Sequence, residues 1–424
     1  MIGYAPLCEK QSRYIKRSLD CWLNVAEGGK RAGKNVMNII AWAASLENHP
    51  NKLHLAAGVS ISAVKLNILD SDGLGLTHIF KGRCREGQYK DRDALFIKTR
   101  TGEKIVLIAG GADNGSEAKI KGQTYGSVYI TEANECCEAF VKECFARTLS
   151  SRDRKIFMDL NPKGPQHWFY VDLLNFYDKS FAEGLITGYN YEHFTVLDNL
   201  SMSDQQLRDL LLSYDKKSFW FVVDILGLRT APEGVIYDMW SATENTYGNE
   251  VPVDGWKSVC THYVGIDYGT SNATAFLDTW DDGTTYWIDR EYYYDGRKER
   301  KQKTDEQYAD DLDAFLDGNR DAIIVVDPSA ASFITVLRNR GYMIKEADNA
   351  VRDGLRVVST LMSKRMIRVR TDACPNHIRE ISGYVWDDKA RMRGEEQPVK
   401  VDDHACDALR YVIKTTASRW RISA

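Results

Sequence analysis

The sequence predicts an α/β protein of two successive domains, and three observations carry that expectation. The chain has 424 residues, more than one hydrophobic core usually serves. Its first half alternates short apolar runs with helical spacing, and after a weakly patterned stretch near residue 240 a second set of strands begins. In the first half, residues 22–26, 53–57, 105–109, 128–130 and 156–160 read as strands and 36–46 as a helix, the pattern of a largely parallel sheet covered by helices. Residues 203–226 read as helical and close the first domain. Gly234, Gly248 and Pro252 interrupt the pattern that follows, so the domains are expected at 1–235 and 259–424, with a linker at 236–258. In the second half, strands at 263–267, 273–279 and 285–294, the last two parted by Asp281-Asp282-Gly283, suggest an antiparallel meander. A helix at 306–315, an apolar run at 322–327 ending in Asp327-Pro328, and an amphipathic helix from about Asp402 complete it, with Ala405, Leu409 and Val412 on one face.

Composition narrows the class. With 43% hydrophobic and 27% charged residues, each half can bury an ordinary core. No apolar run approaches the roughly 20 residues that span a bilayer, and the first residues lack the order of a signal peptide, so a soluble intracellular protein is expected. Nine scattered cysteines, two of them the neighbours Cys136 and Cys137, form neither a disulfide framework nor a zinc spacing. The net charge of -4 means that contacts to nucleic acid must come from local basic clusters. Three are visible: Arg297, Lys298, Arg300, Lys301 and Lys303; Lys364, Arg365, Arg368 and Arg370; and Lys389, Arg391 and Arg393. The plainer reading of each is a solvated face.

Residues 28–35 read GGKRAGKN, the spacing G-x-x-x-x-G-K, between an expected strand and an expected helix. Gly28 and Gly33 free the backbone to turn amides toward phosphates, the helix N-terminus favours anions, and Lys34 adds a cation. The whole segment, Gly28, Gly29, Lys30, Arg31, Ala32, Gly33, Lys34 and Asn35, is the candidate nucleotide loop. Lys30 and Arg31 are placed to bind phosphate or to act on transition-state charge, with a solvated face as the alternative for Arg31. Asn35 stands where a Ser or Thr hydroxyl normally helps hold magnesium, although an amide oxygen can coordinate a hard cation or orient a water. The partner element is an apolar strand ending in acids. Residues 128–130 followed by Thr131-Glu132 fit it, with Thr131 at the metal-side position and Glu132 as the water-activating carboxylate; Glu135 is the alternative.

In the second half Asp267 and Asp327 each end an apolar strand, and Asp403 and Asp407 share a helical face, with His404 three residues before Asp407. Two-metal nucleases need carboxylates gathered from separate elements so that two divalent ions, roughly 4 Å apart, flank the scissile phosphate. Singly, each acid has a plainer role: Asp402 or Asp403 as a helix cap, Asp267 in a turn, Asp327 capping the next helix. Residues 387–400, rich in Lys, Arg and Glu, read either as a hairpin over this site or as a solvated loop.

The strings YGSVYITEANE (125–135), IFMDLNPKGPQHW (156–168) and EGVIYDMW (233–240) resemble the ATPase half of phage large terminases, and HACDALRY (404–411) is similar to the closing motif of their nuclease half. The resemblance implies a P-loop NTPase domain of the ASCE type followed by a ribonuclease-H-like nuclease domain. It implies that Asn161-Pro162 couples hydrolysis to movement and that Gln11 contacts adenine. Asp267, Asp327 and Asp407 would be metal ligands, His404 a ligand or general acid/base, and Asp403 a fourth carboxylate. The implied cofactors are ATP and Mg2+, with Mn2+ as an option at the nuclease site. The implied partners are double-stranded DNA, a portal protein and a small terminase subunit, with a homo-oligomeric ring in the host cytoplasm docked on a procapsid. Two other readings stand beside it. One is a structural or DNA-binding packaging subunit with weak or lost ATPase, motivated by Asn35 and Thr131. The other is a helicase-like recombination nuclease, whose Arg-rich motifs after Glu132 are not seen.

Overall fold

A computed structural model of the chain describes residues 6–248, 255–269 and 272–416. It divides into two compact units. The first comprises residues up to Leu207 with Lys216–Ala231 and Met392–Glu395; the second comprises Arg208–Asp215, Pro232–Arg391 and residues from Glu396 onward.

The first unit holds eight strands: β1 (Leu23–Gly28), β2 (Leu53–Gly58), β3 (Cys84–Tyr89), β4 (Arg92–Thr99), β5 (Gly102–Gly110), β6 (Ser127–Ile130), β7 (Lys155–Leu160) and β8 (Tyr189–Phe194). They lie in the order β3-β4-β5-β2-β6-β7-β1-β8. From β5 to β8 in that order the pairs are parallel, while β3, β4 and β5 form an antiparallel edge. The inner parallel strands β1, β2, β6 and β7 are covered on both faces, which is why they read as apolar runs rather than alternating ones. Leu55 and Ala57 join one core cluster with Phe140 and Val141 of α3 (Glu138–Ala146), whereas Ala56 between them joins another with Ile39, Trp42 and Leu46 of α2 (Lys34–Asn48). The β7-β1-β8 neighbourhood places the loop after β1 on the sheet's C-terminal edge, one strand away from the end of β6. A further helix, α1 (Glu9–Ser18), opens on a reciprocal cap between Cys8 and Gln11.

The second unit holds β9 (Thr246–Tyr247), β10 (Thr261–Asp267), β11 (Thr274–Asp281), β12 (Tyr286–Tyr294), β13 (Ile323–Val326), β14 (Met343–Glu346) and β15 (Ile367–Arg370), in the order β14-β13-β10-β11-β12-β15-β9. The β10-β11-β12 meander is antiparallel as expected, and β13 runs parallel to β10 with Ile266 opposite Val326. Asp267 and Asp327 are the next residues of these two strand ends. On one face α4 (Asp305–Phe315) and α5 (Ala331–Asn339) bury Leu312, Phe333 and Leu337 against Val264, Ile266 and Ile324. Thr304 and Gln307 cap α4 reciprocally. Among the described residues three longer helices follow: α6 (Val351–Ser363), α7 (Pro375–Gly383) and α8 (His404–Thr416). Gly265 lets α8 close on β10, since a Cβ there would lie 2.3 Å from the Ala408 carbonyl oxygen.

Three local expectations differ from the structure. Residues 203–226 are not one helix: Asp204–Leu212 stops, and a short wide turn, Phe221–Ile225, follows. The stretch at 236–258 contains β9, which pairs with β15. Residues 387–400 form no two-stranded hairpin: a single bridge joins Trp386 to Pro398, and the short helix Asp388–Met392 lies between them.

Candidate functional site

Gly28 ends β1 so close to β8 that an added Cβ would meet the Phe194 carbonyl oxygen at 1.8 Å, and no side chain fits. Arg31 (φ 57) and Gly33 (φ 80) bend the loop through left-handed conformations before α2 starts at Lys34. The first amides of α2 have no partners within the helix, which makes this end an anion site. Lys34 is nearly buried, and its ammonium donates to the carbonyls of Gly28 at 2.8 Å and Gly29 at 2.6 Å and to Asn161 Oδ1 at 3.1 Å. Burial pushes its pKa down to about 8, against the opposing charges of Asp159, Glu132, Glu27 and Asp224. A cavity of about 780 Å³ lies over the loop, lined by Lys30 to Val36 and, among others, by Thr131, Glu132, Asp159 and Asn161. Gln11 is buried beside Gly33, its carboxamide oxygen taken by the Cys8 amide, and it does not line this cavity.

The acidic side of the cavity is built where β6 and β7 end. Glu132 has φ 49 and ψ 49, a conformation that costs a residue with a Cβ about 1–2 kcal/mol. The turn is held by the Glu132 amide donating to Asp159 Oδ1 at 3.0 Å and by Asn134 Nδ2 donating to the Asn161 carbonyl at 2.6 Å. Burial raises the Glu132 pKa, helped by the charges of Asp159 and Glu135 and opposed by Lys34 and Lys163. Glu135 is turned away into an ion pair with Lys163 at 2.7 Å and does not line the cavity. Asn35 Nδ2 donates to the Tyr129 hydroxyl at 3.1 Å, and its Oδ1 accepts from Ser71 at 3.0 Å.

Beneath the loop, Glu27 is fully buried and takes hydrogen bonds from Tyr170 and Tyr191, each at 2.8 Å, and from the Arg229 guanidinium through both carboxylate oxygens. The Lys30 amide donates to the Asp224 carbonyl at 2.7 Å, and a Cβ on Gly227 would lie 2.4 Å from Gly29 N. Removing the Arg229 charge would strand Glu27 in the interior, a loss of about 3–5 kcal/mol by the general behaviour of broken buried pairs.

In the second unit α8 begins beside the end of β10. Its first amides, Ala405 and Cys406, donate to Glu380 of α7 at 2.6 and 3.2 Å. Glu380 therefore caps the helix, and the Asp403 carboxylate faces Lys400 at 3.2 Å. Lys400 also reaches Asp407 at 3.1 Å, and Arg410 pairs with Asp407 at 3.0 Å. His404 Nδ1 meets Asp267 at 2.8 Å. Burial raises the Asp267 pKa; the His404 hydrogen bond opposes this, and the charges of Asp407 and Asp403 add to it. Burial works against the charged form of His404, but Asp267 outweighs it and holds the imidazole above its usual pKa. Asp327 is turned to Ser329 N at 2.8 Å and Asn349 Nδ2 at 2.9 Å. Burial would raise its carboxyl, but these bonds and one from Tyr411 hold it below the usual range. Among the described residues no group of three or more His, Cys, Asp or Glu side chains is drawn up closely enough to share a metal ion. The four carboxylates Asp267, Asp327, Asp403 and Asp407 nonetheless offer the oxygen donors that suit a hard divalent ion, and Asp403 and Asp407 already share one cationic group, Lys400.

A solved large terminase of a thermophilic bacteriophage matches 97% of this chain and 99% of its own, at 33% sequence identity and a TM-score of 0.80. The chain belongs to the large terminase family. Structures of the same phage's terminase in complex with ADP and with ATP-gamma-S match at TM-scores of 0.79 and 0.78, each at 33% identity. The first covers 97% of this chain and 99% of its own, the second 96% and 98%. No family model and no curated protein matches. This terminase is therefore an ATPase and nuclease with a P-loop domain and a ribonuclease-H-like domain, and the helicase-like alternative falls.

The residue that sequence reasoning passes over in this terminase is Asp159. Its string is visible, but it matters only because β7 lies beside β6, a pairing of residues 28 positions apart. The basic clusters differ in kind. Arg365 and Arg370 are tied to Glu244, Asp289 and Asp372, and Arg391 and Arg393 to Glu233, Asp388 and Glu395, so these two clusters are engaged in the fold. Among the described residues no helix is long and apolar enough to cross a membrane, and all nine cysteines are free.

Proposed function

We propose that this terminase hydrolyses ATP over residues 28–35 to drive double-stranded DNA into a procapsid, and that it cuts concatemeric DNA with the acids around α8. The observation that carries the motor half is that Lys34, Asn161 and Glu132, from three separate strand ends, line one cavity. Lys34 would hold the β and γ phosphates together with the amides of the loop, and Glu132 would take the proton of the attacking water. Asn161, hydrogen-bonded to Lys34, is the residue through which a change at the phosphates would reach β7. The phage relative's complexes with ADP and ATP-gamma-S support a nucleotide as the occupant. Gln11, whose side-chain amide lies beside Gly33, would contact the adenine base.

In the nuclease half, Asp267, Asp407 and Asp403, with Asp327 from the neighbouring strand, would hold divalent ions, Mg2+ or Mn2+. Such ions would activate water and stabilise the departing oxygen. His404, held by Asp267, would be oriented as a ligand or proton carrier. Motor and nuclease would divide near residue 235, with β9 of the stretch 236–258 counted to the nuclease sheet. Among the basic clusters, Arg297, Arg300 and Lys301 are the first candidates for contact with DNA phosphates. A portal protein, a small subunit and a ring of copies docked on the procapsid in the host cytoplasm complete the proposal.

Asp267→Asn, Asp327→Asn and Asp407→Asn are each expected to abolish metal-dependent plasmid cleavage while ATP hydrolysis persists. Each removes a charge from the acidic group without touching the loop after β1. Cleavage with Mg2+ or Mn2+ and phosphate release, measured on the same preparations, test this. Retained cutting in all three variants would refute the nuclease assignment.

A further inference from the structure

Two positions of the nucleotide site lack their usual metal-side chemistry: Asn35 offers an amide and Thr131 a hydroxyl, both neutral. Thr131 is buried at the end of β6, and its hydroxyl donates to Asp159 Oδ1 at 3.4 Å. Asp159 reaches this point from β7: Ile130 pairs with Met158, so the residues after that couple, Thr131 and Asp159, stand side by side across the two strands. The Asp159 carboxylate lines the same cavity as Lys34, Asn35 and Glu132. It also accepts from the Glu132 amide at 3.0 Å and from the Tyr129 hydroxyl at 2.7 Å, and Tyr129 in turn accepts from Asn35. One carboxylate therefore joins the loop's Asn35, the end of β6 and the turn that carries Glu132.

A magnesium ion beside a triphosphate takes hard oxygen donors and is held by one or two carboxylates. Placing that charge on the neighbouring strand keeps it in the cavity over the loop and leaves Thr131 as a hydroxyl that orients it. We propose that Asp159 is the metal-side carboxylate of the nucleotide site, supplied from β7 in place of the one Thr131 does not provide from β6. The proposal rests on the reading of residues 28–35 as the ATP loop.

The test uses the full chain and a direct binding readout. Affinity for ATP-gamma-S is measured by calorimetry with Mg2+ and with chelator, and Mn2+ binding in the presence of nucleotide is followed by electron paramagnetic resonance. The wild type is expected to bind nucleotide more tightly with the metal. In Asp159→Asn that metal-dependent gain should fall by at least about 10-fold, since even the outer partners of a metal's ligands are typically worth about 10-fold to 100-fold. The exchanged pair Thr131→Asp/Asp159→Asn, which moves the carboxylate back to β6, should recover it. A thermal melt accompanies each variant; if the single variant does not fold, the exchanged pair decides. A full metal-dependent gain in Asp159→Asn, or none in a folded exchanged pair, overturns the proposal. If the wild type binds no nucleotide under either condition, the reading of the loop fails instead, and the two failures are distinct.

Discussion

Glu132→Gln is expected to lower ATP turnover at least about 10²-fold while nucleotide still binds, because it keeps the size and hydrogen bonding of the side chain and removes only the base. The structure strengthens the expectation in two ways. The backbone of Glu132 is locked in its left-handed turn by Asp159, so the substitution leaves the turn in place. The carboxyl also sits above its ordinary pKa through burial and the charges of Asp159 and Glu135, which makes it a better proton acceptor than an exposed glutamate. Phosphate release in steady state, together with nucleotide retained on rapid filtration, separates turnover from binding. ATP should accumulate on the variant, and DNA should stay held without moving. Hydrolysis at the normal rate would shift the role to Glu135, which would first have to leave Lys163.

Lys34→Ala is expected to abolish ATP hydrolysis and DNA packaging in the same chain that still cuts DNA. Transition-state charge on the transferred phosphoryl group is stabilised by fixed cations, and losing one such group typically costs about 10²–10³ in rate. Here the loss extends further, since the Gly28 and Gly29 carbonyls and Asn161 each lose the cation they hold. The acidic group around α8 belongs to the other compact unit and keeps its own partners. Metal-dependent plasmid cleavage beside ATPase on one preparation is the measurement. Unchanged ATPase would move the phosphate site toward Lys30, whose side chain pairs with Asp224 at 3.4 Å.

What is legible in the sequence follows burial. β1, β2, β6 and β7 are covered on both faces and announce themselves as apolar runs. β3, with the sequence CREGQY on an exposed edge, carries no such signal, and neither does β8, where tyrosines and polar residues alternate. The region 340–395 is opaque because α6 buries Gly354 and Arg356 where a core helix normally carries aliphatics. Gly354 admits the Arg410 side chain, and Arg356 lies over the Tyr214 ring. At the sites, spacing along the chain reaches Gly28 to Asn35, Glu132, Asp267 and His404 to Asp407. It does not reach Asp159 or Glu380, for a common reason. Each acts on a backbone amide of a segment distant in sequence, Glu132 in one case and Ala405 in the other, and only strand pairing or helix packing brings them there.

The anchoring of the loop's base has a consequence for how the nucleotide site can breathe. The amide protons of Gly29 and Lys30 are engaged by the Phe194 and Asp224 carbonyls, and the strand beneath is tied through Glu27 to Arg229. Opening this base means breaking a buried ion pair and parting backbone packed too closely for a single methyl group, so its fluctuations are bound to those of the sheet itself. The rim from Arg31 onward is held instead through side chains, by Asn199 on the Arg31 carbonyl and by Tyr129 and Ser71 on Asn35. Side-chain bonds at a cavity edge exchange with water more readily than packed backbone does. Hydrogen exchange is therefore expected to be slower at the amides of Gly29 and Lys30 than at that of Arg31.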